Sequence, residues 1–533
     1  MKRSLLITIV LIFAFLMAAC SDGEKSAGKE QGNENEGKTG EPKQGGTILV
    51  GVSADPMDFN PNAKGDDNAF PIHQNLYNRL MKITNKQEIV PDLAKEYEVS
   101  NDGKEITFHL NEGVTWHDGE KFSSEDVKFT FDTIISEKGQ ASGSLTAIDE
   151  ITAPDENTVV FQLSRPDSSI IGYIAWYGTF IMPKHIYEGT DWNTNPANQN
   201  PIGTGPFKFV EHNKGVNITL ERNDDYWGDI AYLDKVIYSV IPDSNTAIQA
   251  LLNEELDILG ISPPFSEMEG FKTNPQLSYG ELVWPSRFQI AFNQKDKNFS
   301  DLKVRQAVAY GLDKQEIIDK ALKGAGSVSK TAMVPAYEWA VNNTDLYPDR
   351  DIEKAKQLLE EAGYEADSNG VYFSVTFDVF SMEPFGDIGT VVKENLKDIG
   401  IDVKLNLMEY AAWDEKVWTG KNYEIALLAG YQGPGPGGLN GRFASDGSMN
   451  IYNYANDELD ENLLNASVKV TEEERAPFYQ EAQRILIEDL PMVPISEWMM
   501  VDPFQAYIKG HPMSEEAIDK TGFYEYTYLW IDK

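Results

Sequence analysis

Chemistry in this 533-residue chain would most readily be sought at His117-Asp118, within Trp116-His117-Asp118-Gly119. A base beside a carboxylate could be two-thirds of a nucleophilic triad. Side chains adjacent in sequence rarely face each other, however, and no serine or cysteine in a nucleophile motif accompanies them, so the pair is expected to shape a turn. The 85 acidic residues are too numerous for any spaced carboxylate pair to mark a glycosidase centre. The six histidines are scattered with no HExxH or paired spacing, so no metal site built by protein alone is expected, and no cofactor. Residues 32–39, GNENEGKT, match the P-loop pattern letter for letter. A P-loop needs a strand and a helix to fix its amides around phosphate, and residues 21–44 carry no large apolar side chain from which either could be built. ATP binding there is rejected.

Composition narrows the remainder. A net charge of −39 repels nucleic-acid phosphates and anionic lipid, and favours solubility outside a cell. Lys2 and Arg3 precede an apolar run from Leu5 to Ala19, too short and too one-sidedly flanked to span a membrane, which reads as a secretory signal peptide over residues 1–19. Cys20 closes it and is the only cysteine, so no internal disulfide exists. Residues 20–44 form a tether, with an average reach of roughly 25 to 30 Å as a flexible coil.

The elements that must position any site follow from residue 45 onward. Residues 201–206, PIGTGP, cannot be helical, and two strands follow them, 207–211 and 216–220, joined by an Asn-Lys-Gly turn as a hairpin. A third strand, 236–242, leads into a helix over 245–256. Upstream, 47–52 is a buried strand, the apolar spacing of Ile72, Leu76 and Leu80 predicts a helix over 71–81, Asn101-Asp102-Gly103 makes a tight turn, and Ser123 or Ser124 caps a helix. Downstream, 288–293 is a buried strand, Ser300 or Asp301 caps a long helix, and Asp351 caps another that Gly363 ends. Strands at 371–380, 403–407 and 425–430 alternate with helices at 389–399 and 476–489, which predicts a mostly parallel sheet covered on both faces. Tyr524, Tyr526 and Tyr528 alternate and are expected to complete a sheet.

Several uncommon residue types in these segments recur in a fixed order: GTGPFKF at 203–209, ITLERNDDYWG at 218–228, YLDKV at 232–236 and GGTILVGV at 45–52. In this the chain resembles the extracellular solute-binding proteins of peptide and nickel ABC importers, family 5. The resemblance covers almost the whole chain after the tether. It implies an α/β, two-lobe periplasmic-binding-protein-like fold (type II, cluster C) with an extra subdomain inserted in the first lobe. Lobe I would comprise 45–75, 183–285 and 491–533, the insert 76–182, and lobe II 286–490. It also implies hinge closure around a solute, delivery to a membrane permease, no catalysis and a monomer. Met17-Ala18-Ala19-Cys20 is similar to a lipoprotein signal, with Met in place of the usual Leu three residues before the cysteine; lipidation of Cys20 would hold the protein on the outer membrane face without spanning it.

The site residues rest on the same resemblance. Peptide-binding relatives carry Trp-x-x-Asp after the buried strand near 430, where the carboxylate takes the peptide's α-amino group. Here Tyr431 matches the aromatic, followed by Gln432, and Pro434 stands where the Asp would be. A buried ammonium would need another partner, and Asp66 and Asp67, after the first strand, could supply it from the opposite lobe or be solvated loop acids. Trp413 matches a second cleft aromatic by spacing. Trp284 and Arg287 precede the crossing strand, where Arg287 could fork onto a ligand carboxylate or form a surface ion pair; Arg442 is a similar candidate. The loop from Gly433 to Gly441, with two prolines and five glycines, lets backbone approach a ligand closely. Three readings follow: an oligopeptide receptor, a binder of another solute such as a metal chelate, glycoside or modified amino acid, and a secreted hydrolase, for which no nucleophile elbow is present.

Overall fold

The structure is a computed structural model that describes residues 41–344 and 346–533. The expected signal peptide, Cys20 and the GNENEGKT segment lie outside the described residues. No helix among the described residues is long and apolar enough to cross a membrane.

Three hydrophobic cores organise the fold. The first surrounds a four-stranded sheet in the order Thr47–Val52, Lys235–Val240, Asn217–Arg222, Phe207–Asn213, whose first pairing is parallel and the others antiparallel. Val50, Leu220, Val236 and Tyr238 are buried there. The predicted hairpin forms, with Gly215 in the left-handed region at φ +74° as its turn requires. The second core runs from Leu80 to Trp192 and lies under an antiparallel sheet, Ala94–Val99, Glu105–Leu110, Thr158–Leu163, Ile148–Asp155. Helix Ser124–Ser136 packs on it. Its start is fixed by a capping box in which Ser123 and Asp126 satisfy each other's backbone amides.

The third core runs from Phe288 to Ile495 around a six-stranded sheet, Ser327–Val328, Met492–Gln505, Leu277–Phe292, Ile425–Tyr431, Phe373–Phe380, Ile401–Met408. Only the pairings of Phe373–Phe380 with its two neighbours are parallel; the other three are antiparallel. The expected mostly parallel sheet is therefore corrected to a mixed one. The reason is topological: Leu277–Phe292 and Met492–Gln505 are long strands that run in opposite directions through the middle of the sheet, so they pair antiparallel with each other, from Leu277 with Gln505 to Ala291 with Met492.

Two further expectations are corrected. Helix Phe70–Leu76 stops five residues before the predicted end, because the Asp92 carboxylate accepts hydrogen bonds from the Arg79 amide (2.7 Å) and the Asn78 side chain (2.8 Å) and draws the chain into the strand Met81–Ile83. The Tyr524–Tyr528 alternation is turns, not strand. Tyr526 is held there by its amide donating to Asn75 Oδ1 (2.9 Å), and the terminal strand is Trp530–Ile531.

Candidate binding cleft

The crossing strands lose register between Trp284 and Arg287. Above that break lies Trp284, and Ser286 pairs with Tyr431 at the end of Ile425–Tyr431, so the two predicted aromatics meet with ring centroids 5.6 Å apart. Trp176, just past helix Ile170–Ile174, stacks on Tyr431 at 4.4 Å and 15° and lies 5.7 Å from Trp284. Phe523 adds a fourth ring, 5.2 Å from Trp284. Burial, and after it the neighbouring Tyr337 and Tyr173 phenols, push the Tyr431 hydroxyl well above its ordinary pKa, so it stays neutral. Nothing in the sequence singled out Trp176, which sits in no recognisable motif.

The basic candidates lie beneath this cluster. Arg287 is fully buried: Nη1 donates to the Thr331 and Ala332 carbonyls (2.8 and 3.1 Å), and Nη2 stands 3.4 Å from Glu497 Oε1 on the partner crossing strand. Glu497 also accepts from the Ser329 hydroxyl. Arg287 is thus an internal ion pair rather than a surface one. Arg442 donates to the Tyr431 carbonyl and braces that strand end; burial lowers its pKa. Gln432 is engaged locally, its amide donating to Pro285 C=O and its side chain to Gly430 C=O, both at 2.7 Å.

Asp66 is structural in its contacts, accepting from the Met57 and Asn68 amides (2.8 and 3.0 Å) while its own carbonyl takes the Tyr177 hydroxyl. The Asp67 carboxylate is exposed, has no hydrogen-bond or ion-pair partner among the described residues, and acts electrostatically on Tyr177 and Tyr524, both of which pack on Phe70 at the rim of the cluster. Trp413 is placed elsewhere, buried against Phe380 (5.3 Å) within the third core. His117 and Asp118 do not face each other. His117 accepts from the Gly203 amide (3.1 Å) and donates to Gly205 C=O (3.0 Å), and burial lowers its pKa to about 4, while Asp118 pairs with His185 at 2.8 Å.

Beside the aromatic cluster opens a cavity of about 1170 Å³. One wall comes from beside the second core (Tyr97, Tyr173), the other from Trp339, the Pro434–Gly438 loop and Arg475. The walls touch at its edge: the Ser168 amide donates to Ser467 C=O (2.9 Å), and Gly172 packs so closely on Pro434 that a Cβ would stand 3.0 Å from the Pro434 oxygen. A volume at or above the usual range for drug-sized ligands, roughly 300–1,000 Å³, suits a chain-like solute. No group of three or more potential metal ligands occurs among the described residues.

The family model for bacterial extracellular solute-binding proteins, family 5, matches residues 88–449. The chain belongs to this family. Among family 5 relatives, it is 30% identical to the oligopeptide-binding protein AppA of Bacillus subtilis, over 99% of this chain and 98% of that protein. The solved structure of AppA in complex with a nonapeptide superposes with a TM-score of 0.75 at 27% identity, covering 92% of this chain and all of that one. The ABC transporter substrate binding protein CtaP from Listeria monocytogenes superposes with a TM-score of 0.82 at 27% identity, with the same coverage. The family 5 fold thus accounts for the two lobes and for the cavity between their walls.

Proposed function

We propose that this protein is the extracytoplasmic binding component of an ABC importer, capturing oligopeptides between its lobes by hinge closure and presenting the closed form to a membrane permease. The observation that carries this reading is the cavity of about 1170 Å³ walled from both sides, in a chain similar along 99% of its length to an oligopeptide-binding protein. Binding to both walls is what makes closure ligand-dependent, since a solute with equal affinity for open and closed states would shift nothing. Lobe I is taken as 45–75, 183–285 and 491–533, the insert as 76–182 and lobe II as 286–490. Asp67, whose free carboxylate lies at the rim of the aromatic cluster and outside the lining of the large cavity, is the acid available to a peptide ammonium that reaches that rim, in place of the residue that Pro434 replaces.

The test is a thermal-shift screen of the chain from Ser21 against pooled di- to nonapeptides, glycans and nickel chelates, with mass spectrometry of any co-purified solute. A peptide at a hundred times its Kd adds about 2.7 kcal/mol of stability. A response to glycans or chelates alone would transfer the reading to another solute class. The proposal extends to a lipid anchor at Cys20: Cys20→Ser should move the protein from the membrane fraction to the soluble one, and retention on the membrane would remove the anchor from the account.

A further inference from the structure

Arg475 stands at the start of helix Glu472–Asp489, with only 9% of its surface exposed, on the wall of the large cavity. Its guanidinium carbon lies 5.2 Å from the Trp339 ring centre and 5.5 Å from that of Tyr479, and Nη2 donates to the Tyr479 hydroxyl at 3.1 Å. Among the described residues no carboxylate approaches it within 4.0 Å, and its buried Nε has no hydrogen-bond partner. Among the other deeply buried arginines, Arg305 has the carbonyls of Phe299, Ser300 and Asp489, and Arg287 has Glu497 and two carbonyls although its Nε also lacks a partner; Arg79, held by the Gln74 side chain and the Phe180 ring, has no ion pair among the described residues either, but unlike Arg475 it does not line the large cavity.

Charged side chains so deeply buried are almost always paired, because an isolated charge loses its hydration there with nothing to replace it. Two aromatic rings hold the guanidinium but supply no anion. Glu472, one turn earlier, acts with Arg475 on the Tyr97 phenol facing them from the opposite wall, yet it makes no ion pair with the arginine. Asp167, Glu338 and Lys469 also line the cavity, and none of them closes on the guanidinium.

We propose that Arg475, clamped by Trp339 and Tyr479, is the anchor for a carboxylate of the solute. The inference rests on the cavity being the ligand compartment and adds a chemical demand to it: the bound solute presents an anion to this corner. The planar fork of arginine suits a carboxylate in two-point contact.

Three tetrapeptide pools test it by calorimetry on the chain from Ser21: neutral residues with a free C-terminus, the same peptides amidated, and amidated peptides with one Glu. The expected result is at least a tenfold preference for one carboxylate-bearing pool over the neutral amidated pool, lost in Arg475→Gln and partly kept in Arg475→Lys. A preference for free acids assigns the anion to the C-terminus, and a preference for the Glu pool to a side chain. Equal binding of all three pools leaves peptide import standing and overturns the anchor. Persistence of the preference in a folded Arg475→Gln does the same. Binding of none of the pools removes the import reading and the anchor together. The comparison of pools on the unmodified protein needs no variant, so it holds even if Arg475→Gln does not fold.

Discussion

At the scale of single residues the molecule keeps several ionisable groups under tight constraint. Glu497 is the carboxylate facing fully buried Arg287, so Glu497→Gln should lower unfolding free energy by about 3 kcal/mol or more, while Arg287→Met with Glu497→Leu should recover most of that loss. Urea unfolding of the parent, Glu497→Gln and the double variant checks this, and a double variant no more stable than Glu497→Gln would contradict it. Two histidines set an acid limit. Burial holds His73 at a pKa of about 3 and His117 at about 4, both below the unfolded value near 6.5. The unfolded chain therefore takes up these protons first; the stability they contribute is complete above pH 6.5, is lost progressively as pH falls from 6.5 toward 4 and 3, and is lower by about 2 to 3 kcal/mol for each at pH 4.5. Asp92, raised by burial to about 6, works in the opposite direction between pH 6 and 4. Unfolding at pH 7 and pH 4.5, with His73→Leu showing a smaller difference, measures the histidine share. Residue-level legibility in the sequence was uneven. Tyr431 and Trp413 were singled out by a family pattern, and only Tyr431 joins the aromatic cluster, whereas Trp284 was singled out by its place before a buried strand. Arg475 carried a signal of its own: it lies at helical spacing with buried Tyr479, Ala482 and Leu486, and an arginine on the apolar face of a helix calls for a partner.

At the scale of elements, caps and turns were the most readable features, because their chemistry is local. Ser123, Asp301, Asp351 and Gly363 stand where their types require. Ser123→Ala should cost about 1 kcal/mol, seen as a lower denaturation midpoint at unchanged slope, and a neutral result would mean that Asp126 alone fixes the helix start. What sequence periodicity missed was decided by distant partners. The helix after Phe70 ends at Leu76 because of Asp92, sixteen residues on, and the terminal tyrosines alternate without a neighbouring strand to pair with. Strand direction in the large sheet was equally hidden, since a buried run of apolar residues reads the same whether its neighbour is parallel or antiparallel.

At the scale of the whole molecule, the two sides of the cavity meet where Gly172 packs on Pro434 and Trp176 stacks on Tyr431, the contacts on which the proposed closure would turn. Gly172→Val inserts branched carbon into a gap where even a Cβ stands 3.0 Å from the Pro434 oxygen, so it should hold the walls apart. The expected outcome is a tenfold or greater rise in Kd for the best peptide at nearly unchanged unfolding midpoint, and a smaller ligand-induced contraction in X-ray scattering; unchanged contraction would place closure elsewhere. The crossing strands have a further consequence for biogenesis. Leu277–Phe292 pairs along most of its length with Met492–Gln505, Tyr526 donates to Asn75, and Ile531 lies against Gly46. The sheet that begins at Thr47–Val52 is therefore tied down by residues more than 400 positions later in the chain. At roughly 5 to 20 residues per second the strand Thr47–Val52 waits on the order of half a minute or more for its last partners. Until then the partly made chain lacks the contacts that Met492–Gln505, Tyr526 and Ile531 supply, so a fragment ending before residue 492 should stay unlocked however long it is given to fold.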